Sequence, residues 1–238
     1  MALLKHIPNT ITSMNLLAGI MGVIFTLEGR LEWALPLMLL AAVFDFCDGL
    51  AARLLGAYSP IGGELDSLAD VVSFGVLPSL MLYKVMPVDA PAILRYIPLF
   101  VAVMSAVRLA KFNVDDRQTL DFLGLPTPSC AMVCGSLATF LYLAGGMDAG
   151  VEVWILDAIA LVLGLLLVSE IPMFGMKIKK GHKLLDTKRI AFLILAAACV
   201  LAVILLKQPW SLAVLAVFSL YVIENLVVAL INSFRRGA

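Results

Sequence analysis

Residues 33–70 read WALPLMLLAAVFDFCDGLAARLLGAYSPIGGELDSLAD, an uncharged apolar run that passes without a break into a segment holding Asp45, Asp48, Glu64, Asp66 and Asp70. Residues 33–44 have the composition of a helix inside a hydrocarbon layer about 30 Å thick. An aspartate at mid-membrane costs on the order of 3 kcal/mol, and less near an interface, so four of them together call for a compensating partner. Asp45 and Asp48 are spaced i, i+3, and Asp66 and Asp70 i, i+4, so each pair shares one face of its helix. Gly56, Pro60, Gly62 and Gly63 are the residues of a chain reversal, and a reversal sets the two pairs facing each other across a helical hairpin. Four carboxylates suit two hard divalent cations, magnesium or manganese, because all-oxygen ligation favours those ions. Two such ions about 4 Å apart are the apparatus of phosphoryl transfer. Gly49, Ala52, Gly62 and Gly63 offer small surfaces where a nucleotide or diphosphate can approach the backbone, and Arg53 can pair with diphosphate oxygens.

The rest of the chain has the same character. Of 238 residues, 62% are hydrophobic and only 14% are charged, which excludes a water-soluble domain of this length. Residues 151–168, 190–206 and 212–231 are further runs of membrane-spanning length. Breaking the sequence at polar, Gly and Pro clusters predicts eight membrane segments, at 10–27, 33–55, 63–86, 92–112, 127–146, 151–173, 189–206 and 210–233. The expected fold is all-α, a polytopic transmembrane helical bundle forming one integral membrane catalytic domain over 1–238. The last two segments also suit a peripheral hairpin, although Lys207, Gln208 and Pro209 make a tight turn between two full spans. Cys47, Cys130, Cys134 and Cys199 lie in or beside apolar segments and read as small core residues. The first apolar run lacks a small-residue cleavage pattern and reads as a retained helix.

A net charge of zero carries no information about acidic partners, and no nucleic-acid partner is expected. The distribution of charge is informative. Lys177, Lys179, Lys180, Lys183, Lys188 and Arg189 share one connection, and Arg235 and Arg236 follow the last segment, so both regions are expected on the cytoplasmic side. An even number of spans then puts the N-terminus, 53–62 and 113–126 on that side, and leaves Arg30, Lys84, Arg95 and Lys207 near the opposite face. The lysine-rich 177–189 loop reads as a lipid-headgroup contact.

A lone intramembrane aspartate often does no more than pair with a basic residue, and Gly and Ala often serve helix packing alone. Four aspartates at paired spacing, with Gly and Arg between them, are not accounted for in that way. A cation transporter would distribute its acids along a pore, whereas these cluster on two adjacent helices near one face.

The pattern DxxDGxxAR, eight residues, then GxxxDxxxD resembles the signature of the CDP-alcohol phosphotransferase family, with Asp45, Asp48, Gly49, Ala52, Arg53, Gly62, Asp66 and Asp70 at every fixed position. The resemblance implies a six-helix core, here with about two added C-terminal helices, a cytoplasm-facing active site and a homodimer in the cytoplasmic membrane. It implies that Asp45, Asp48, Asp66 and Asp70 bind two divalent cations, Mg2+ or Mn2+, and that Asp70 is also the base for the acceptor hydroxyl. Gly49, Ala52, Arg53 and Gly62 are then the positions for the CDP moiety of CDP-diacylglycerol, whose phosphatidyl group passes to a small alcohol.

The motif is shared by enzymes using serine, glycerol 3-phosphate, inositol phosphate or choline-type alcohols, so it does not choose the acceptor. The segments PNTITSMNLLAGI at 8–20, RLAKFNV at 108–114 and GLPTP at 124–128 resemble the phosphatidylserine synthase branch, which implies L-serine, with glycerol 3-phosphate as the alternative. Arg108 and Lys111 would suit the carboxylate of serine, would equally suit a phosphate, and also read as an interfacial positive-inside pair. Asn9, Thr12 and Asn15 are within reach of a nucleotide, while Asn9 and Thr12 also read as helix-start caps. Within the motif Cys47 lies off the Asp45/Asp48 face and Ser59 falls in the loop, so neither is an evident nucleophile, and direct displacement by the acceptor is expected.

Overall fold

The computed structural model describes residues 6–114, 122–173 and 187–237, and among these the apolar runs form eight helices. They are α1 Ile7–Leu27, α2 Leu31–Leu55, α3 Pro60–Val85, α4 Ala92–Val114, α5 Thr127–Leu143, α6 Val151–Val168, α7 Thr187–Leu205 and α8 Trp210–Gly237. Six are long and apolar enough to cross a membrane, and α5 and the 192–205 part of α7 are shorter apolar helices. The outward faces are as apolar as the interior: Leu54, Ile61, Val151, Trp154 and Leu205 are all well exposed. That pattern suits lipid as the solvent. The chain is thus an all-α polytopic bundle, as expected. Helix α8 packs against α5, and α7 lies on α8 with Phe192 edge-on to Tyr221, so the last two helices add to one side of the first six.

The reversal between the acidic helices is tighter than the sequence predicts. Gly56 closes α2 in the left-handed conformation at φ 58°, and Ser59 opens α3 by accepting a hydrogen bond from the Gly62 N–H at 3.0 Å. Only 56–59 lie outside helix, so Arg53 belongs to the last turn of α2 and Gly62 to the first turn of α3. Helix α5 stops at Leu143, short of the predicted 146, because Gly145 and Gly146 adopt φ values of 102° and 98°.

The predicted 151–173 segment also ends early, at Val168. Pro172–Met173 form a short strand, β2, antiparallel to β1 at Phe122–Leu123, with Phe122 opposite Met173. Gly124, at φ 78°, lies so close to the end of α6 that a Cβ there would stand 2.5 Å from the Leu167 carbonyl oxygen. Next to it the Leu125 N–H donates to the Leu166 carbonyl at 2.9 Å, satisfying one of the open carbonyls of that helix end.

Within α3, residues Val71–Val76 form a π-helical turn, and the Leu77 N–H reaches back to the Val72 carbonyl. Pro78 follows directly. Its ring opposes the carbonyl four residues earlier, and the wider turn relieves that crowding. The turn directs Ser73 at α1, where its hydroxyl donates to the Asn15 carbonyl at 3.1 Å. Gly19 permits this approach, since a Cβ on it would lie 2.2 Å from Ser73 Oγ and 3.0 Å from Ser73 Cα. Gly19→Ala is therefore expected to break the Ser73 hydrogen bond, separate α1 from α3 and lower stability by about 1–3 kcal/mol, read as a fall in Tm.

Phe74, Leu77 and Met81 of α3 are fully buried with Met38 of α2, and Gly135 of α5 faces Met38 so closely that a Cβ there would be 2.5 Å from Met38 Cε. At the end of the bundle away from the acids, Lys84 donates to the Leu27 carbonyl at 3.0 Å, and Arg30 lies over the Phe25 ring near Glu28 and Glu32. Lys177, Lys179, Lys180 and Lys183, and the side chains of Lys188, Arg189, Arg235 and Arg236, lie outside the described residues, so the headgroup-contact reading does too.

Candidate active site

The start of α1, the end of α2 and the start of α3 converge at one end of the bundle. Asp45, Asp48 and Asp66 each offer a carboxylate oxygen there, and the three oxygens lie within 4.8 Å of one another. The hairpin therefore sets the two acidic helices face to face as their spacing predicts. Among the described residues no lysine or arginine comes within ion-pair distance of any of these aspartates. Oδ1 of Asp66 is buried with no hydrogen-bond partner there. A cluster of like charges lacking a protein counter-ion, built from hard oxygen donors, fits a divalent cation. Asp70, one turn further along α3, stands outside the cluster of three; it is buried, and its Oδ1 accepts a hydrogen bond from Asn15 Nδ2 at 3.2 Å.

Helix α1 supplies the neutral polar groups around the acids. Thr12 Oγ1 donates to Asp48 Oδ2 at 2.6 Å. Its distance to the Pro8 carbonyl is 3.0 Å, but one hydroxyl proton serves one acceptor at a time and the carboxylate is nearer. Because α1 begins at Ile7 with no side-chain cap, neither Asn9 nor Thr12 caps it. Asn15 reaches Asp70 and does not line the cavity beside it.

That cavity, about 190 Å³, opens between the three helices and is lined by Asn9, Thr12, Asp48, Ala52, Gly62 and Asp66, with Gly49 and Gly63 completing its floor. A Cβ on Gly62 would lie 2.9 Å from both Asn9 Oδ1 and Ser59 Oγ, so glycine there keeps the wall intact. A Cβ on Gly63 would meet nothing within 4 Å, which leaves its backbone open to a ligand. Arg53 does not line the cavity. Its guanidinium folds back over Gly49, with Nη1 3.7 Å from where a Cβ on that glycine would stand.

The two cations taken together in the sequence part company. Arg108 is buried, donates from Nη1 to Thr127 Oγ1 at 3.1 Å, and has its Cζ 5.9 Å from the Phe112 ring centroid. Its Nε has no partner among the described residues, and Asp70 is among the charges acting on its guanidinium. Lys111 points outward and donates to the Val168 carbonyl at 3.3 Å, closing the end of α6. Beside the acids, Ser67 and Asn113 exchange hydrogen bonds of 3.2 and 3.0 Å that tie α3 to α4. Sequence reading missed the Thr12–Asp48, Asn15–Asp70 and Ser67–Asn113 contacts. For the first two the available signal was the cluster of polar residues over 9–15, in which Asn9, Thr12 and Asn15 recur at every third position and so share one helix face.

Residues 5–178 match the family model described as CDP-alcohol phosphatidyltransferase. The CDP-diacylglycerol–serine O-phosphatidyltransferase of Mycobacterium leprae (strain TN) is 35% identical over 221 residues, covering 88% of this chain and 70% of that one. The protein of the same name from Bacillus subtilis (strain 168) is 35% identical over 139 residues, covering 58% of this chain and 78% of its own. An archaetidylserine synthase of Methanothermobacter thermautotrophicus is 34% identical over 145 residues, 58% of each chain.

Proposed function

The chain belongs to the CDP-alcohol phosphatidyltransferase family, and from that premise we propose that it transfers the phosphatidyl group of CDP-diacylglycerol to L-serine, forming phosphatidylserine and CMP. The observation that carries this reading is the placement of Asp70, a buried carboxylate one turn beyond a three-carboxylate cluster and beside a cavity walled by Gly49, Ala52 and Gly62. Asp70 accepts the proton of the serine hydroxyl. The serine oxygen attacks the lipid-linked phosphorus, the bond from that phosphorus to the bridging oxygen breaks, and the electron pair leaves with CMP. Two magnesium or manganese ions held by Asp45, Asp48, Asp66 and Asp70 would supply positive charge to the diphosphate. Gly49, Ala52 and Gly62 let the CDP moiety approach the helix backbones, and Arg53 at the rim swings onto its phosphates.

Serine also presents a carboxylate. Because Lys111 is engaged at the end of α6, that role falls to Arg108, whose buried Nε–H is unmatched. The protein works as a homodimer in the cytoplasmic membrane with the acidic end facing the cytoplasm. The basic loop residues of the sequence support that orientation.

Purified protein supplied with CDP-diacylglycerol, magnesium or manganese, and labelled L-serine is expected to yield labelled lipid and CMP in equal amounts. CMP without labelled lipid would mean hydrolysis and would contradict the reading. No phosphatidyl-enzyme is expected on rapid quenching, since the acceptor attacks directly.

A further inference from the structure

Asn15 is fully buried on α1, and its amide is used on one side only. A carboxylate accepts hydrogen bonds and donates none, so the amide nitrogen must be the atom that faces Asp70. This fixes the other end of the side chain. Oδ1 is turned away from Asp70, buried, and without a partner among the described residues. An unmatched buried carbonyl is unfavourable, and one beside a reacting carboxylate is matched by whatever arrives there.

The arriving group must bring a hydrogen-bond donor. The nucleotide cavity is walled by Thr12 but not by Asn15, which lies one turn deeper in the bundle. The diphosphate and the acyl esters of the lipid substrate offer only acceptors. The donor therefore comes with the acceptor alcohol, and not from its reacting hydroxyl, which Asp70 takes.

Across Asp70 lies the opposite case, the unmatched donor Nε of Arg108. The register of α3 on α4 sets its height. Gly75 lies against Ser105, with a Cβ on that glycine 3.1 Å from Ser105 Cβ, and Ser67 bonds Asn113. Arg108 thus stands near the level of Asp70 and Val72. An unmatched acceptor on α1 and an unmatched donor on α4, one on each side of the base, are complementary to a zwitterion carrying a hydroxyl.

We propose that Asn15 is a specificity-determining residue for the acceptor, receiving the α-ammonium of the amino acid on Oδ1 while Nδ2 holds Asp70 in place. The inference rests on the serine-transfer reading. It predicts that the amine of the substrate is recognised through α1, separately from the carboxylate at Arg108.

The test compares L-serine with 3-hydroxypropanoate, which lacks the amine, in the native protein and in Asn15→Ala. Loosening Asp70 lowers kcat for both acceptors alike. Loss of the ammonium contact raises KM for serine alone, so the preference for serine is expected to shrink on the order of 10- to 100-fold. A rise in Tm on adding serine is expected in the native protein and not in the variant, while the rise on adding CDP-diacylglycerol persists in both and reports that the variant is folded. Ser73→Ala, which frees the Asn15 backbone but keeps its amide, is expected to retain the serine preference. An unchanged preference in Asn15→Ala, or an equal loss in Ser73→Ala, overturns the proposal. So does a raised cation requirement with the preference intact, which would make Oδ1 a metal ligand. A native protein that refuses serine but accepts another alcohol overturns the serine reading and this inference together.

Discussion

Asp70→Asn is expected to lower CMP release by roughly 10²- to 10⁴-fold, the range for removing a positioned general base, while leaving CDP-diacylglycerol binding intact. The substitution preserves shape. The new amide can turn its oxygen toward Asn15 Nδ2 and keep the 3.2 Å contact, so the buried surroundings of residue 70 need not move. What disappears is the group that accepts the hydroxyl proton and one of the four carboxylates proposed to hold the cations, while Asp45, Asp48 and Asp66 remain. Asp70 also stands outside the cluster of three, so binding of nucleotide in the cavity beside Asp48 and Asp66 should survive its neutralisation. Steady-state CMP release and calorimetric titration with CDP-diacylglycerol separate the two effects. Near-normal turnover in the variant would remove Asp70 from the role of base.

Asp66→Asn should show a sign reversal between stability and activity. Three carboxylate oxygens within 4.8 Å of one another repel when no cation is bound, and Asp66 contributes one of them with its Oδ1 unmatched. Neutralising it relieves that repulsion, so the cation-free variant is expected to melt a few °C higher than the native protein. The same change weakens cation binding. The rise in Tm produced by magnesium or manganese should be largely lost, and CMP release should fall at least about 10²-fold. A variant with undiminished cation-dependent stabilisation would show that Asp66 is not a ligand.

Much of the site is legible in the sequence. Carboxylates in an apolar run are expensive, so Asp45, Asp48, Asp66 and Asp70 stood out by composition, and helical periodicity put them on two facing surfaces. Gly56 marked the reversal correctly, though the reversal is shorter than the sequence suggests and Gly62 falls inside the first turn of α3. What stayed hidden depends on which helix lies beside which. Thr12 meets Asp48 where α1 packs on α2, and Asn15 meets Asp70 where Gly19 and Gly22 let α1 lie close along α3, and no local period encodes either pairing. The separation of Arg108 from Lys111 is of the same kind: on one helix they are one turn apart, but only Lys111 meets the end of α6. The strand pair at 122–123 and 172–173 is too short for any alternation to appear, and the π-helical turn after Asp70 had no pattern beyond the proline that follows it.

Phosphatidyl transfer to serine is decided by CMP release from the purified protein in native lipid, with CDP-diacylglycerol and manganese or magnesium, and with L-serine, glycerol 3-phosphate or inositol phosphate supplied one at a time. Cation-dependent release with serine alone, abolished by chelation, is the expected result. Release with glycerol 3-phosphate or inositol phosphate in place of serine, or none with any of the three, would contradict it.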